Sequence, residues 1–358
     1  MPQPMRWRIL ADDLTGALDT AAAWCSAMTS VPVFLDRPHH SEAPVQAVST
    51  GSRDLPAGDW PAALAASSLD WLCGGDRAYK KIDSLLRGNT LAELAWLLHQ
   101  GRFRGAVLAP AFPAQGRFTA QQRHWVGPAN QPGHAALQIV VDNLAQALAA
   151  HGIFTRSGLD MPTPEPGVPT VWVPDALHDT DLARLADLAH SPAGAQWLWC
   201  GSAGLAQALT SREDGSPRAL TPTPECLITA SRHPVLRGQL QCLQHIRPTA
   251  PVTDWMEPEP LAVAAATQAL LGRVQAWVDS HPVPSTLAVV GGDTLLALCR
   301  CTGASALRAG PSPRPGWGQA HLVDGRWQDT LILTRSGAFG DADDLLALWP
   351  QTHLETSP

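Results

Sequence analysis

Two aspartates stand side by side in Ala11-Asp12-Asp13-Leu14-Thr15-Gly16, directly after the short apolar run Trp7-Arg8-Ile9-Leu10. A carboxylate pair at a strand end suits a base that takes a hydroxyl proton, or a magnesium ligand. The plainer job for either acid is to cap the helix that follows, because Asp accepts hydrogen bonds from first-turn N–H groups. One Asp suffices for that, and two adjacent carboxylates repel. A turn of small residues also lets a ligand approach, so the pair is placed in an active site.

Other strand ends carry equally reactive types. Thr50-Gly51-Ser52-Arg53 follows the run Ala47-Val48-Ser49, and Tyr79 to Asn89 gathers Lys80, Lys81 and Arg87 around Asp83 and Ser84 before a Gly88-Asn89 turn. The bland alternative is a solvated charged face, but these cations interleave with Asp83 rather than spacing as helical partners. Arg53 and Arg87 have the planar guanidinium that grips a carboxylate through two parallel hydrogen bonds. Ala109 to Arg117 has too much proline for a helix and is expected to be a fixed loop, with Gln115 and Arg117 as its polar contacts. Cys200-Gly201-Ser202-Ala203-Gly204-Leu205 opens a helix after a strand, where backbone N–H groups meet anions or glycine merely permits close packing.

A second set lies further along. Thr229-Ala230-Ser231-Arg232-His233-Pro234, Gly291-Gly292-Asp293-Thr294 and Ser336-Gly337-Ala338-Phe339-Gly340-Asp341 each follow an apolar run. Any one is a routine turn. Three such turns in one region are how a protein builds nests of N–H groups for phosphate oxygens, so they mark a nucleotide-phosphate site. No GxxxxGK[ST], complete GxGxxG or protein-kinase catalytic loop accompanies them.

These turns need elements to hold them. Strands are expected at Trp7 to Leu10, Val31 to Leu35, Ala47 to Ser49, Trp71 to Cys73, Ala106 to Leu108, Thr170 to Val173, Trp197 to Trp199, Cys226 to Thr229, Leu287 to Val290 and Thr330 to Leu333. Helical patterns lie between them, the first from Leu18 to Met28. Such alternation predicts an α/β fold of mainly parallel sheets flanked by helices. With 358 residues the chain exceeds one comfortable core, and the Pro-rich stretch Ser211 to Glu225 divides it near residue 222, into domains 1–222 and 223–358.

Composition excludes several classes. A net charge of -7 with no basic block argues against a nucleic-acid partner. Seven scattered cysteines without CxxC spacing read as reduced thiols of a cytoplasmic protein. The start of the chain lacks an apolar signal region, and no apolar run reaches membrane-spanning length, so neither export nor a membrane partner is expected. Fourteen tryptophans leave room for an apolar dimer surface, and a homodimer is compatible with them.

In order along nearly the whole chain, the motifs resemble those of the four-carbon acid sugar kinases. They are Ala11 to Ala17, Lys81-Ile82-Asp83-Ser84 with Leu86-Arg87-Gly88, Ala109 to Pro113 with Gly116-Arg117, Gly201 to Leu205, Gly291 to Thr294, and Ser336 to Gly340. The resemblance implies an ATP- and Mg2+-dependent kinase that phosphorylates a hydroxyl of a tetronate or 3-oxo-tetronate. It further implies an N-terminal sugar-acid domain, a C-terminal nucleotide domain and an active site in the cleft between them. Carried over residue by residue, catalysis falls to Asp13 and Asp12, and substrate binding to Ser52, Arg53, Lys81, Asp83 and Arg87. Nucleotide binding falls to Ser231, Gly291, Gly292, Asp293, Thr294, Gly337 and Gly340. The chain departs from the pattern at Arg335, where Lys is usual, and at Leu85 and Ala230, where Thr and Gly are usual; no acidic residue precedes Pro315-Gly316. A rival from another class, an aspartyl phosphatase, needs Asp-x-Asp, and here the acids are adjacent. The other alternative is a sensor of the same fold that binds sugar acid and nucleotide without turnover.

Overall fold

A computed structural model describes residues 4–26, 28–66, 69–210, 222–314 and 316–349. The chain separates into two compact units, Met1–Ser216 and Pro217–Pro358. Most of the Pro-rich stretch from Ser211 to Glu225 lies outside the described residues.

In the first unit the strands are β1 (Trp7–Ala11), β2 (Val31–Leu35), β3 (Val45–Ser49), β4 (Arg77–Lys81), β5 (Gly105–Ala109), β6 (Arg117–Ala120), β7 (Arg123–Val126), β8 (Gln138–Val141), β9 (Phe154–Ser157), β10 (Thr170–Val173) and β11 (Trp197–Gly201). Eight of them form one parallel sheet in the order β2-β3-β1-β4-β11-β5-β10-β9. Strands β11 and β5 near its middle are apolar on both faces and buried, as a sheet covered by helices requires. Strands β6, β7 and β8 make a separate antiparallel sheet, absent from the sequence expectation because its strands are short and polar.

Two expected elements differ. Trp71 to Cys73 is not a strand but the end of a short helix, Leu69–Cys73, that buries only Leu72. A three-residue apolar run does not discriminate the two. The strand is instead β4, Arg-Ala-Tyr-Lys-Lys, all five residues buried. Its charges hid it from a reading based on apolar runs. The Arg77 guanidinium donates to the carbonyls of Ala189 (2.5 Å) and Ser191 (2.8 Å), and Lys80 pairs with Glu93 at 2.6 Å. The first helix spans Leu14–Ala22 rather than Leu18 to Met28, because Asp13 caps it immediately after β1.

The second unit holds β12 (Cys226–Thr229), β13 (Val252–Asp254), β14 (Thr286–Val290), β15 (Ala306–Gly310), β16 (Gly318–Leu322) and β17 (Leu331–Arg335), in the order β13-β12-β14-β17-β16-β15. Contacts from β13 to β17 are parallel, and β16 adds antiparallel pairings to β17 and β15. One core joins Leu227, Ala288, Val290 and Leu333 of the sheet to Leu236, Leu240 and Leu243 of the helix Pro234–Ile246, with Trp317 and Leu345. Among the described residues no helix is long and apolar enough to cross a membrane.

Candidate active site

In parallel sheets, residues just beyond the carboxyl ends of strands converge on one edge. In the first unit that edge brings together Asp12 and Asp13 after β1, Ser52 and Arg53 after β3, and Asp83 and Arg87 after β4. Parallel pairing sets Ala11 of β1 beside Ser49 of β3 and Lys81 of β4, which fixes their common height.

The two aspartates have different jobs. Asp12 is 1% exposed and receives a bidentate grip from Arg53, Nε to Oδ2 at 3.0 Å and Nη2 to Oδ1 at 2.8 Å. Burial pushes its carboxyl up, but Arg53, Lys80 and Lys81 outweigh burial and leave it below the usual carboxylate range. Asp13 caps the helix: Oδ1 accepts from the Gly16 amide (3.0 Å) and Oδ2 from the Thr15 hydroxyl (2.7 Å). It also accepts from Arg53 Nη2 at 2.7 Å, and its side chain keeps 18% exposure. Capping and charge pairing therefore coexist in one residue.

Asp83 is treated the same way by Arg87, Nε to Oδ2 at 2.9 Å and Nη2 to Oδ1 at 2.6 Å, an i,i+4 pair that the sequence reading did not anticipate. Burial raises the Asp83 carboxyl, yet the bonds from Arg87 and the charges of Arg53, Arg87 and Lys81 hold it far below its ordinary value. Both arginines expected to grip a ligand carboxylate thus hold carboxylates of the chain itself. Lys81 differs. Among the described residues its ammonium has no hydrogen bond or ion pair, and it rests against Gly16, where a Cβ would come within 2.9 Å of Nζ and collide with Asp13 Oδ1. Asp19, one turn further along the helix, is raised by burial, a rise that Lys81 opposes and Asp13 adds to.

The framework around these groups was not legible in advance. Asn89 Nδ2 donates to the carbonyls of Ser52 (3.0 Å) and Leu55 (2.9 Å), and Gly88, at φ +70°, packs where any Cβ would strike Arg53. The Gly88-Asn89 turn therefore clamps the Arg53 loop. Ser52 is fully buried with its hydroxyl on Thr50 Oγ1 at 2.6 Å, an inward position. Buried His124 on β7 reaches Ser84 O through Nε2 (2.7 Å) and Thr119 Oγ1 through Nδ1 (2.9 Å), so Nε2 carries the proton and Nδ1 accepts. The small antiparallel sheet thereby anchors the Asp83-Ser84 turn. Gly116 takes the left-handed conformation (φ +73°) that closes the Pro-rich loop, and Arg117 donates back to the Gln115 carbonyl. Beneath Asp12 lies the Lys80–Glu93 pair, both side chains 0% exposed.

The second unit gathers its three turns around Ser231. A Cβ on Gly291 (φ +112°) would lie 3.5 Å from Ser231 Cβ, and one on Gly337 only 2.5 Å from Ser231 Oγ. The Ala230 amide donates to Thr294 Oγ1 (3.1 Å), and Thr229 Oγ1 donates to the Val290 carbonyl (2.7 Å). Ser231, Gly291, Gly292, Thr294 and Gly337 are thus neighbours, with Asp293 exposed in the first turn of the helix Gly292–Thr302. Gly340 stands apart, against Arg335 and Asp344. His233 caps the helix Pro234–Ile246, Nδ1 accepting from the Val235 amide at 3.3 Å.

A family described as the sugar-binding N-terminal domain matches residues 7–139. D-threonate kinase of Bordetella bronchiseptica is 29% identical over 94% of this chain and 95% of its own length. D-threonate kinase of Cupriavidus necator is 35% identical over 62% of this chain, and the chain spans 58% of that relative. In fold, the chain is similar to a Salmonella typhimurium protein described as a tRNA synthase (TM-score 0.70, 17% identity, covering 96% of this chain and 98% of that one). A Haemophilus influenzae protein from a family described only as a domain of unknown function gives a TM-score of 0.64 at 19% identity, covering 95% and 98%. At these identities the structural likenesses establish the fold alone. Ordered motifs, a matched sugar-binding domain and relatives aligned along the chain support one reading: the chain is similar to the four-carbon acid sugar kinases.

Proposed function

We propose that this chain transfers the γ-phosphoryl group of ATP, carried with magnesium, to a hydroxyl of a four-carbon sugar acid, with D-threonate the first acceptor to try. The likeness to D-threonate kinase of Bordetella bronchiseptica over 94% of the chain carries this reading, because a likeness of that length takes in most of both units.

Within the proposal, the 18% exposure of Asp13 against 1% for Asp12 gives the acceptor hydroxyl to Asp13. Asp13 takes or orients the hydroxyl proton, and Asp12 holds Arg53 in place. Lys81, unpaired among the described residues, receives the substrate carboxylate, with the half-exposed Arg87 beside it. Ser52 turns inward and shapes the loop that carries Arg53.

The residues around Ser231 suit a phosphate group, since Gly337 carries no Cβ to crowd Ser231 Oγ, a hydroxyl that can donate to an oxygen. Magnesium neutralises charge on a triphosphate as it transfers. No cluster of three or more His, Cys, Asp or Glu among the described residues is arranged to hold a metal, which suits an ion that arrives on the nucleotide. The expected cleft between the two units belongs to this proposal.

Purified protein given ATP, magnesium and a panel of four-carbon sugar acids should release ADP with at least one of them. Background release with every acceptor sinks the reading. Calorimetric binding of both sugar acid and nucleotide without product would decide for the sensor.

A further inference from the structure

Arg335 stands where the related kinases carry a lysine, at the end of β17 beside the Ser336 to Asp341 turn, and a cation there invites assignment as a phosphate ligand. Its surroundings say otherwise. The side chain is 1% exposed and turned inward: Nη1 donates to Asp344 Oδ2, Nη2 donates to Gln239 Oε1, and Cζ lies 4.9 Å from the Trp317 ring centroid. Asp344 is held in turn by Trp317 Nε1 at 3.2 Å, while Arg314 stacks on the same ring, 4.8 Å from its centroid.

Gln239 links this cluster to the glycine turn. It is 1% exposed on the helix Pro234–Ile246, and while its oxygen accepts from Arg335, its amide nitrogen donates to the carbonyls of Phe339 (3.0 Å) and Asp341 (2.7 Å). Gly340, at φ +87°, lies so close that a Cβ would strike Arg335 Nη1 and stand 2.7 Å from Asp344 Oδ2. At its other end the turn is fixed by Gly337 against Ser231.

We infer that Arg335 is a positioning residue rather than a phosphate ligand: with Asp344 it orients Gln239, and Gln239 latches the Phe339–Asp341 backbone so that the glycine turn faces nucleotide phosphate. A planar guanidinium can serve Asp344 and Gln239 along divergent N–H directions while stacking on Trp317; a lysine ammonium cannot reproduce that fork. The inference deepens the nucleotide reading of the second unit and rests on it.

The test measures ADP and ATP binding by calorimetry on the full chain, wild type against Arg335→Lys, Gln239→Leu and the double variant, with thermal unfolding to show that each folds. Gln239→Leu removes a side chain that reaches no phosphate on either view, yet it should weaken nucleotide binding about tenfold or more, as Arg335→Lys does, with the double variant little worse than either single one. Sugar-acid KM should stay within about threefold of wild type in all three. Unchanged nucleotide affinity in Gln239→Leu, or additive losses in the double variant, overturns the latch while leaving the nucleotide site standing. Absence of nucleotide binding in the wild type overturns both. If Gln239→Leu fails to fold, Gln239→Glu, which keeps the acceptor for Arg335 but lacks the N–H donors, takes its place with the same two outcomes.

Discussion

Asp13 shows why a choice between capping and chemistry was the wrong choice to pose. One oxygen caps the Leu14–Ala22 helix through Gly16 while the same carboxylate meets Arg53, so the helix start places the charge. Asp13→Asn separates the two roles, because the amide oxygen can still accept from Gly16. It should fold with a loss below about 1 kcal/mol, the scale of a cap, while turnover falls at least about a hundredfold, the scale of general-base catalysis. Steady-state kinetics with parallel thermal unfolding checks this, and retained turnover would remove Asp13 from the reaction. Arg53→Met should behave differently. It strands the 1%-exposed Asp12 carboxylate without its two bonds and should destabilise the first unit by about 3 kcal/mol, read from denaturant unfolding.

At the level of elements, β4 was the least legible and the most consequential. Lys80 and Lys81 are neighbours in sequence, and strand alternation sends their side chains to opposite faces. One enters the core to meet Glu93, and the other reaches the Asp13 edge. Glu93→Gln leaves Lys80 buried without a counter-charge and should cost about 3 to 5 kcal/mol, whereas Lys80→Met with Glu93→Leu should be near neutral for stability. The small sheet makes a separate prediction. Burial lowers the His124 imidazole from its ordinary 6.5, with the bond to Ser84 opposing. The unfolded chain then binds the proton more readily than the folded one, so stability is full above about 6.5 and declines as pH falls below it. His124→Gln should flatten unfolding midpoints measured between about pH 7 and 5; an unchanged slope would show that His124 is not the group responsible.

For the molecule as a whole, each unit presents its own set of strand-end groups, and each set should answer to its own ligand. Hydrogen exchange on the full chain should show nucleotide protecting amides around Ser231, Gly291 to Thr294 and Gly337, and sugar acid protecting those around Gly16, Arg53 and Arg87. Protection by nucleotide confined to the first unit would reverse the assignment. The sequence alone determined the α/β class and the polar turns after β1, β3, β12, β14 and β17, because buried parallel strands are apolar runs and the residues after them must turn. Ordered motifs carried the resemblance to the four-carbon acid sugar kinases. Tertiary structure decided what no spacing records: that Arg53 and Arg87 hold internal carboxylates, that a strand of charged residues runs through the first core, and that Arg335 faces Gln239 and Asp344. Those outcomes depend on which partner lies within about 3 Å of a side chain, and such partners as Glu93, His124 and Gln239 come from remote segments that only folding brings near.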